Sequence, residues 1–204
     1  NCAVTDAHDP LELRLHTQGL PLPGMDIRVV DPGSGHPLSR GEVGEFRVKG
    51  HLTPGYYNDP ELNRRAFDAD GYFVTGDLGC LGDDGRVRFR GRLKEMIKTG
   101  GINVAPLEVE GVLLTHPGVK QAYVVGVPDR DKGERVVAAV ELRAGATATA
   151  EALVGFCRER LASYKVPARI VFRKGDEFPR TPTGKVHKPQ LREALARLVP
   201  SDAR

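Results

Sequence analysis

A handful of residues combine a reactive type with a suggestive spacing. Asp77 follows Gly76 close behind the apolar run Tyr72-Phe73-Val74. A carboxylate placed there can accept two hydrogen bonds from a vicinal diol such as that of ribose, or it can cap its own turn. Arg92 offers a planar fork of donors suited to sugar or phosphate oxygens, or to a neighbouring carboxylate. Lys185 closes Thr181-Pro182-Thr183-Gly184-Lys185, a turn-rich loop with a compact positive charge at its tip. An ammonium there can stabilise charge that builds on phosphate oxygens during attack at phosphorus. The plain alternative is a solvated surface lysine, and no Walker loop surrounds it. Lys98, Gly100 and Gly101 lie within residues 91–110, GRLKEMIKTGGINVAPLEVE, where Arg92, Lys94 and Lys98 precede the glycine pair. Glycines let a ligand approach the backbone closely, and nearby cations suit a phosphate-bearing one. An ordinary glycine hairpin with solvated lysines stands as the other reading.

The elements that must hold these residues change character along the chain. Residues 1–20 are polar and read as irregular. Strands are predicted over 25–30, 42–48 and 86–90, with turns at 31–35, 55–60 and 82–85. A short helix is predicted over 60–66, capped by Asn58 or Asp59. Beyond Gly91, apolar residues flank Gly100 and Gly101 as two short strands around a tight turn. Helices are then predicted over 106–115, from Thr149 or Ala150 to Leu161, and from about Pro189 to Leu198. Leu153, Phe156, Cys157 and Leu161 form the inward side of the second of these. Strands are predicted over 119–126, 134–142 and 168–172. The expected fold class is α+β: a small mostly-β subdomain over 1–91, a short hinge over 92–94, and a compact domain over 95–204. That second domain is expected to hold a three-stranded sheet with flanking helices.

Composition bounds the partners. Charged residues make up 28% and hydrophobic ones 40% of the 204 residues, as in a soluble globular protein. No apolar run reaches the roughly 20 residues of a membrane helix, and no secretory signal opens the chain. Cys2, Cys80 and Cys157 lie far apart, which points to no disulfide framework and to a reducing, cytoplasmic compartment. Residues 1–90 carry 10 Lys and Arg against 14 Asp and Glu, whereas residues 91–204 carry 20 against 13. A basic second half fits a phosphate-rich ligand. Nucleic acid is disfavoured because no dense basic cluster with interleaved aromatics occurs. The histidines, His116 and His187 among them, show no metal-ligand spacing. Tyr56, Tyr57, Tyr72 and Phe73 read as packing residues. The chain opens on Asn1 with no methionine, and the expectation is a fragment of a longer protein.

Four stretches then combine: 41–67 (GEVGEFRVKGHLTPGYYNDPELNRRAF), 72–78 (YFVTGDL), 91–110, and 179–188 (PRTPTGKVHK). Their order and spacing resemble the adenylate-forming enzymes, the superfamily of acyl-CoA synthetases, luciferases and peptide-synthetase adenylation domains. MIKTGGINVAPLEVE is similar to the stretch found in fatty-acyl and aryl-CoA synthetases. The resemblance implies a ligase that makes an acyl-adenylate from ATP and a carboxylic acid, then passes the acyl group to coenzyme A, with a place in fatty acid metabolism. It implies that Asp77 and Arg92 bind the nucleotide and that Lys185 serves adenylation. Gly100 and Gly101 would line the pantetheine passage, Lys98 would serve the second half-reaction, and Lys94 would occupy the hinge. The magnesium ligand, the phosphate loop and the acid pocket are expected in an N-terminal adenylation domain preceding Asn1, so the chain alone is expected to be inactive. Two other readings are an adenylation domain that loads a carrier-protein thiol and a non-catalytic module that binds a nucleotide or a partner.

Overall fold

Alternating apolar residues between glycine turns shape the first half of the chain. A computed structural model describes residues 2–198 and divides the chain into two compact units, Asn1–Lys94 and Glu95–Arg204. The first unit opens with β1 (Ala3–Val4), α1 (Leu11–His16) and β2 (Leu20–Pro21), where β1 pairs with β2. Next come β3 (Asp26–Val30), β4 (Gly44–Lys49), α2 (Pro60–Ala66), β5 (Phe73–Leu81) and β6 (Val87–Arg92). The last four strands form an antiparallel sheet in the order β3-β4-β5-β6. Ile27, Val29, Phe46, Val48 and Val87 bury one face of it, as the period of two requires. Asp59 caps α2 by accepting the Leu62 N–H at 2.9 Å, and Asn58 takes the left-handed turn position beside it.

The ladder of this sheet slips twice. One slip falls between Glu45 and Arg47 on β4, the other between Leu78 and Gly79 on β5. A bulge of this kind re-aims the neighbouring side chain. Gly79 marks the second slip, because a Cβ there would lie 2.2 Å from the Arg88 carbonyl oxygen.

The second unit contains β7 (Ile97–Thr99), β8 (Ile102–Val104), α3 (Pro106–Leu114), β9 (Val119–Asp129), β10 (Gly133–Leu142), α4 (Ala150–Arg158), β11 (Arg169–Phe172) and α5 (Lys188–Leu198). β10 pairs antiparallel with β9 along one edge. Along its other edge it pairs in parallel with β11 and, at Gly133, with Thr99 of β7. Val109, Leu113, Leu153 and Cys157 of α3 and α4 pack on Val124, Val136, Ala138 and Val140. Leu191 and Leu195 of α5 cover the opposite side with Val125, Val127, Val137 and Ala139. The sheet is covered on both faces, which is why β10 reads as the unbroken apolar run Val136-Val137-Ala138-Ala139-Val140.

Several details depart from expectation. The three strands expected here are present with β10 between β9 and β11, and the glycine hairpin joins the sheet as two more strands through β7. α4 ends at Arg158, short of Leu161. Phe156 is only half-buried: His116 packs edge-on at 5.0 Å, and the Arg160 guanidinium lies 3.7 Å above its ring. The first 20 residues are not wholly irregular, since α1 spans six of them with no side-chain cap to announce it. Tyr72 and Phe73 are packed, but Tyr56 and Tyr57 are exposed, Tyr57 to 99%. Among the described residues no helix is long and apolar enough to cross a membrane.

Candidate functional site

In the first unit the sheet brings Asp77 and Arg92 together as direct cross-strand partners. Arg92 Nε stands 3.0 Å from Asp77 Oδ1, which is ion-pair distance. The angle is not that of a hydrogen bond, so buried Oδ1 lacks a donor. The Asp77 backbone is held on the other side. Its N–H donates to Thr75 Oγ1 at 3.0 Å, and the Thr75 hydroxyl donates to the Phe46 carbonyl at 2.7 Å. Gly76, at φ +69°, donates its N–H to Glu45 Oε1 at 3.0 Å. Glu45 is 3% exposed and its charge is met by Arg47 Nη2 at 2.8 Å. Thr75, Gly76, Arg92, Leu93 and Lys94 line a cleft beside this pair. A carboxylate with an unused acceptor, an arginine fork and open space can receive a diol.

In the second unit Lys98 lies on β7 between buried Ile97 and Thr99, with its own side chain exposed. Its N–H donates to Glu134 Oε2 at 2.8 Å, and the other oxygen of Glu134 accepts from Arg192 of α5 at 2.6 Å. Gly100 and Gly101 have φ of +55° and +80°, the pair of left-handed conformations that a two-residue hairpin demands. A Cβ on either would meet nothing within 4 Å in this chain. Backbone conformation, not crowding by the protein itself, therefore calls for glycine there.

Lys185 sits on a small hairpin. The Thr181 N–H donates to the Lys185 carbonyl at 2.7 Å, the Gly184 N–H to the Thr181 carbonyl at 2.8 Å, and Arg180 bridges to Val186. The Lys185 side chain is exposed, and its ammonium bonds no side chain among the described residues. Lys94 is likewise exposed, within the 3-10 turn Leu93–Glu95. Asp77, Arg92 and Lys94 thus belong to the first unit, and Lys98, Gly100, Gly101 and Lys185 to the second. Among the described residues no group of three or more His, Cys, Asp or Glu side chains is arranged to hold a metal ion.

Residues 108–185 match the AMP-binding enzyme C-terminal domain. The chain is 36% identical over 196 residues to 4-coumarate–CoA ligase 2 of Nicotiana tabacum, a match over 96% of this chain and 36% of that protein. It is 43% identical over 188 residues to 2-succinylbenzoate–CoA ligase of Geobacillus kaustophilus, over 92% and 36%. The crystal structure of ATP-bound MatB from Rhodopseudomonas palustris superposes with a TM-score of 0.85 at 39% identity, over 90% of this chain and 36% of that one. The chain belongs to the adenylate-forming, AMP-binding enzyme family. It spans about a third of the length of these relatives.

Sequence reasoning missed the residues that hold the named ones in place. Glu45 is the clearest. It breaks the apolar register of EVGEFRV with a buried charge, and that break was the available signal. Glu134 and Arg192 carried no such mark, because their partners are distant in sequence, and Thr75 is locked to the distant Phe46 carbonyl.

Proposed function

We propose that the parent protein is an AMP-forming acid–thiol ligase, an acyl-CoA synthetase acting on a fatty or aryl acid in the cytoplasm. The observation that carries this reading is the unsatisfied acceptor of Asp77 beside the Arg92 fork and the cleft at Thr75 and Gly76. In the reading, ATP enters with magnesium on its phosphates, and Asp77 accepts the ribose hydroxyls while Arg92 donates to nucleotide oxygens. The acid attacks the α-phosphorus, forms the acyl–phosphate bond and expels pyrophosphate. Lys185 stabilises the charge growing on the non-bridging oxygens. The thiol of coenzyme A then attacks the acyl carbon and releases AMP, with Gly100 and Gly101 beside the pantetheine arm and Lys98 aiding the second step. Lys94 joins the two units, and a turn of the backbone there presents the Lys185 loop and the Lys98 hairpin in succession. The remainder of the parent supplies the phosphate loop, the magnesium ligand and the acid pocket, so the present chain alone is inert. Three cysteines that are all free, two of them buried, fit a reducing compartment.

The test uses the full-length parent with a panel of carboxylic acids. Acid-dependent exchange of labelled pyrophosphate into ATP, followed by a coenzyme A thioester, is the expected result. Exchange by the present chain alone, or exchange with no thioester on adding coenzyme A, would overturn the reading. In the latter case a carrier-protein thiol becomes the acceptor to test.

A further inference from the structure

The one buried charge among the described residues of the second unit, on Glu110, has no part in the ligase chemistry. Glu110 of α3 is 6% exposed. Its Oε1 accepts the Val124 N–H at 2.8 Å and lies 2.9 Å from Lys188 Nζ. Lys188 is the first residue of α5, and its Nζ also lies 3.1 Å from Glu95 Oε2. One cation thus serves two carboxylates that come from well-separated parts of the chain. Neither contact has the angle of a hydrogen bond at Lys188 Nζ, so charge and distance carry the interaction. A buried carboxylate left without its cation is strongly unfavourable, so α5 is held at its first turn in both height and rotation.

Lys188 stands three residues after Lys185, at the end of the hairpin that carries it. The other leg is fixed too: Phe178 is buried against Tyr123, and the His187 N–H donates to the Pro179 carbonyl at 2.8 Å. Between these anchors Lys185 itself is exposed and unpaired among the described side chains. The position of its ammonium is therefore set by the base of the hairpin.

We propose that Lys188 is a positioning residue for Lys185, bracing the base of its loop through Glu110 and Glu95. The proposal rests on the reading of Lys185 as the adenylation lysine. It has a corollary for movement. Glu95 is tied to α5, so any turn of the backbone between half-reactions takes place on the N-terminal side of Glu95, at Lys94 or before it.

The test compares Lys188→Met, Lys188→Arg and Lys185→Ala in the full-length parent. Three quantities are read: acid-dependent pyrophosphate exchange, thioester formation from preformed acyl-adenylate, and amide hydrogen exchange at Thr181, Gly184 and His187. Lys188→Met should lower pyrophosphate exchange about 10- to 100-fold, the scale of misplacing a reacting group by about 1 Å. It should speed amide exchange in the loop and leave thioester formation within about threefold, because the Lys98 strand is tied to α5 through Glu134 and Arg192, one turn beyond Lys188, and that pair is retained. Lys188→Arg, which keeps the charge, should recover most of the lost pyrophosphate exchange. Full activity in Lys188→Met, equal loss of both half-reactions, or no recovery by arginine would each overturn the proposal. Should Lys188→Met not fold, Glu95→Gln leaves the Glu110 pair in place; a selective fall in pyrophosphate exchange supports the brace and none overturns it. Loss in Lys185→Ala without loss in Lys188→Met sinks this inference alone. Intact pyrophosphate exchange in Lys185→Ala sinks the adenylation reading, whereas the loop amides report on the brace independently.

Discussion

Asp77 and Arg92 face each other across the β5–β6 pair, 3.0 Å apart, yet the buried Asp77 oxygen in that contact has no hydrogen-bond donor. The sheet register delivers the pair, and Thr75 and Glu45 fix the backbone from which Asp77 projects. A hydroxyl that filled the vacant acceptor would be discriminated by its presence or absence alone.

Removing that acceptor should be felt in nucleotide binding. Asp77→Ala in the full-length parent is expected to raise the KM for ATP about 10- to 100-fold, the worth of one hydrogen bond to a charged group. It should also erase discrimination against 2′-deoxy-ATP. Steady-state kinetics with both nucleotides checks this; a variant that still rejects the deoxynucleotide as the wild type does would place ribose recognition elsewhere.

Gly100 and Gly101 separate two reasons for glycine. Their positive φ asks for a residue that tolerates the left-handed region, while a passage for a ligand asks for absence of bulk. Asparagine tolerates that region better than alanine but is larger. If conformation governs, Gly101→Asn should keep more thioester-forming activity than Gly101→Ala. If clearance for the pantetheine arm governs, the order reverses. Rates from preformed acyl-adenylate decide between them.

Much of the fold was legible because its signals are local. Pro60 after Asp59, and the glycine pair between short apolar runs, each announce an element within a few residues. The covered sheet was legible in the valine run of β10. What escaped depended on distant partners. α1 has no cap and leaves Leu11 and Leu15 exposed, so neither pattern nor composition marks it. The hairpin's place in the sheet rests on a pairing between Thr99 and Gly133. At the site, residue types and motifs pointed to Asp77, Arg92 and Lys185. Of the supports, only Glu45 left a mark, by breaking an apolar register; Glu110 and Lys188 were invisible, because a charged residue in a sequence does not disclose which partner it will meet.

The hairpin that brings β5 to β6 should carry a pH-dependent share of stability. The Arg88 guanidinium, bonded to both oxygens of Asp84 at 2.8 and 2.9 Å, pulls that carboxyl down from its ordinary 3.8 to about 2. A lowered carboxylate stabilises the fold when ionised, so the contribution is complete above about pH 4 and is lost as pH falls towards 2. Asp84→Asn should therefore melt below the wild type at neutral pH, with the gap closing over that acidic range. A gap that persisted unchanged at the acid end would assign the loss to something other than the ion pair.

Proline at the junction tests movement. Lys94→Pro fixes φ near −65° and restricts Leu93 as well. Adenylation should persist while thioester formation falls by orders of magnitude, and Lys94→Ala should act mildly because the torsions stay free. Normal rates for both half-reactions in the proline variant would remove Lys94 as the pivot.

The central claim is that Lys185 serves acyl-adenylate formation and not the thiol step. The most direct measurement takes Lys185→Ala in the full-length parent and follows the two half-reactions separately. Pyrophosphate exchange should fall by the equivalent of about 2–4 kcal/mol in the barrier, as expected for losing one charge-stabilising donor. Thioester formation from preformed acyl-adenylate should stay near the wild-type rate. Equal damage to both steps, or none to the first, would contradict the account.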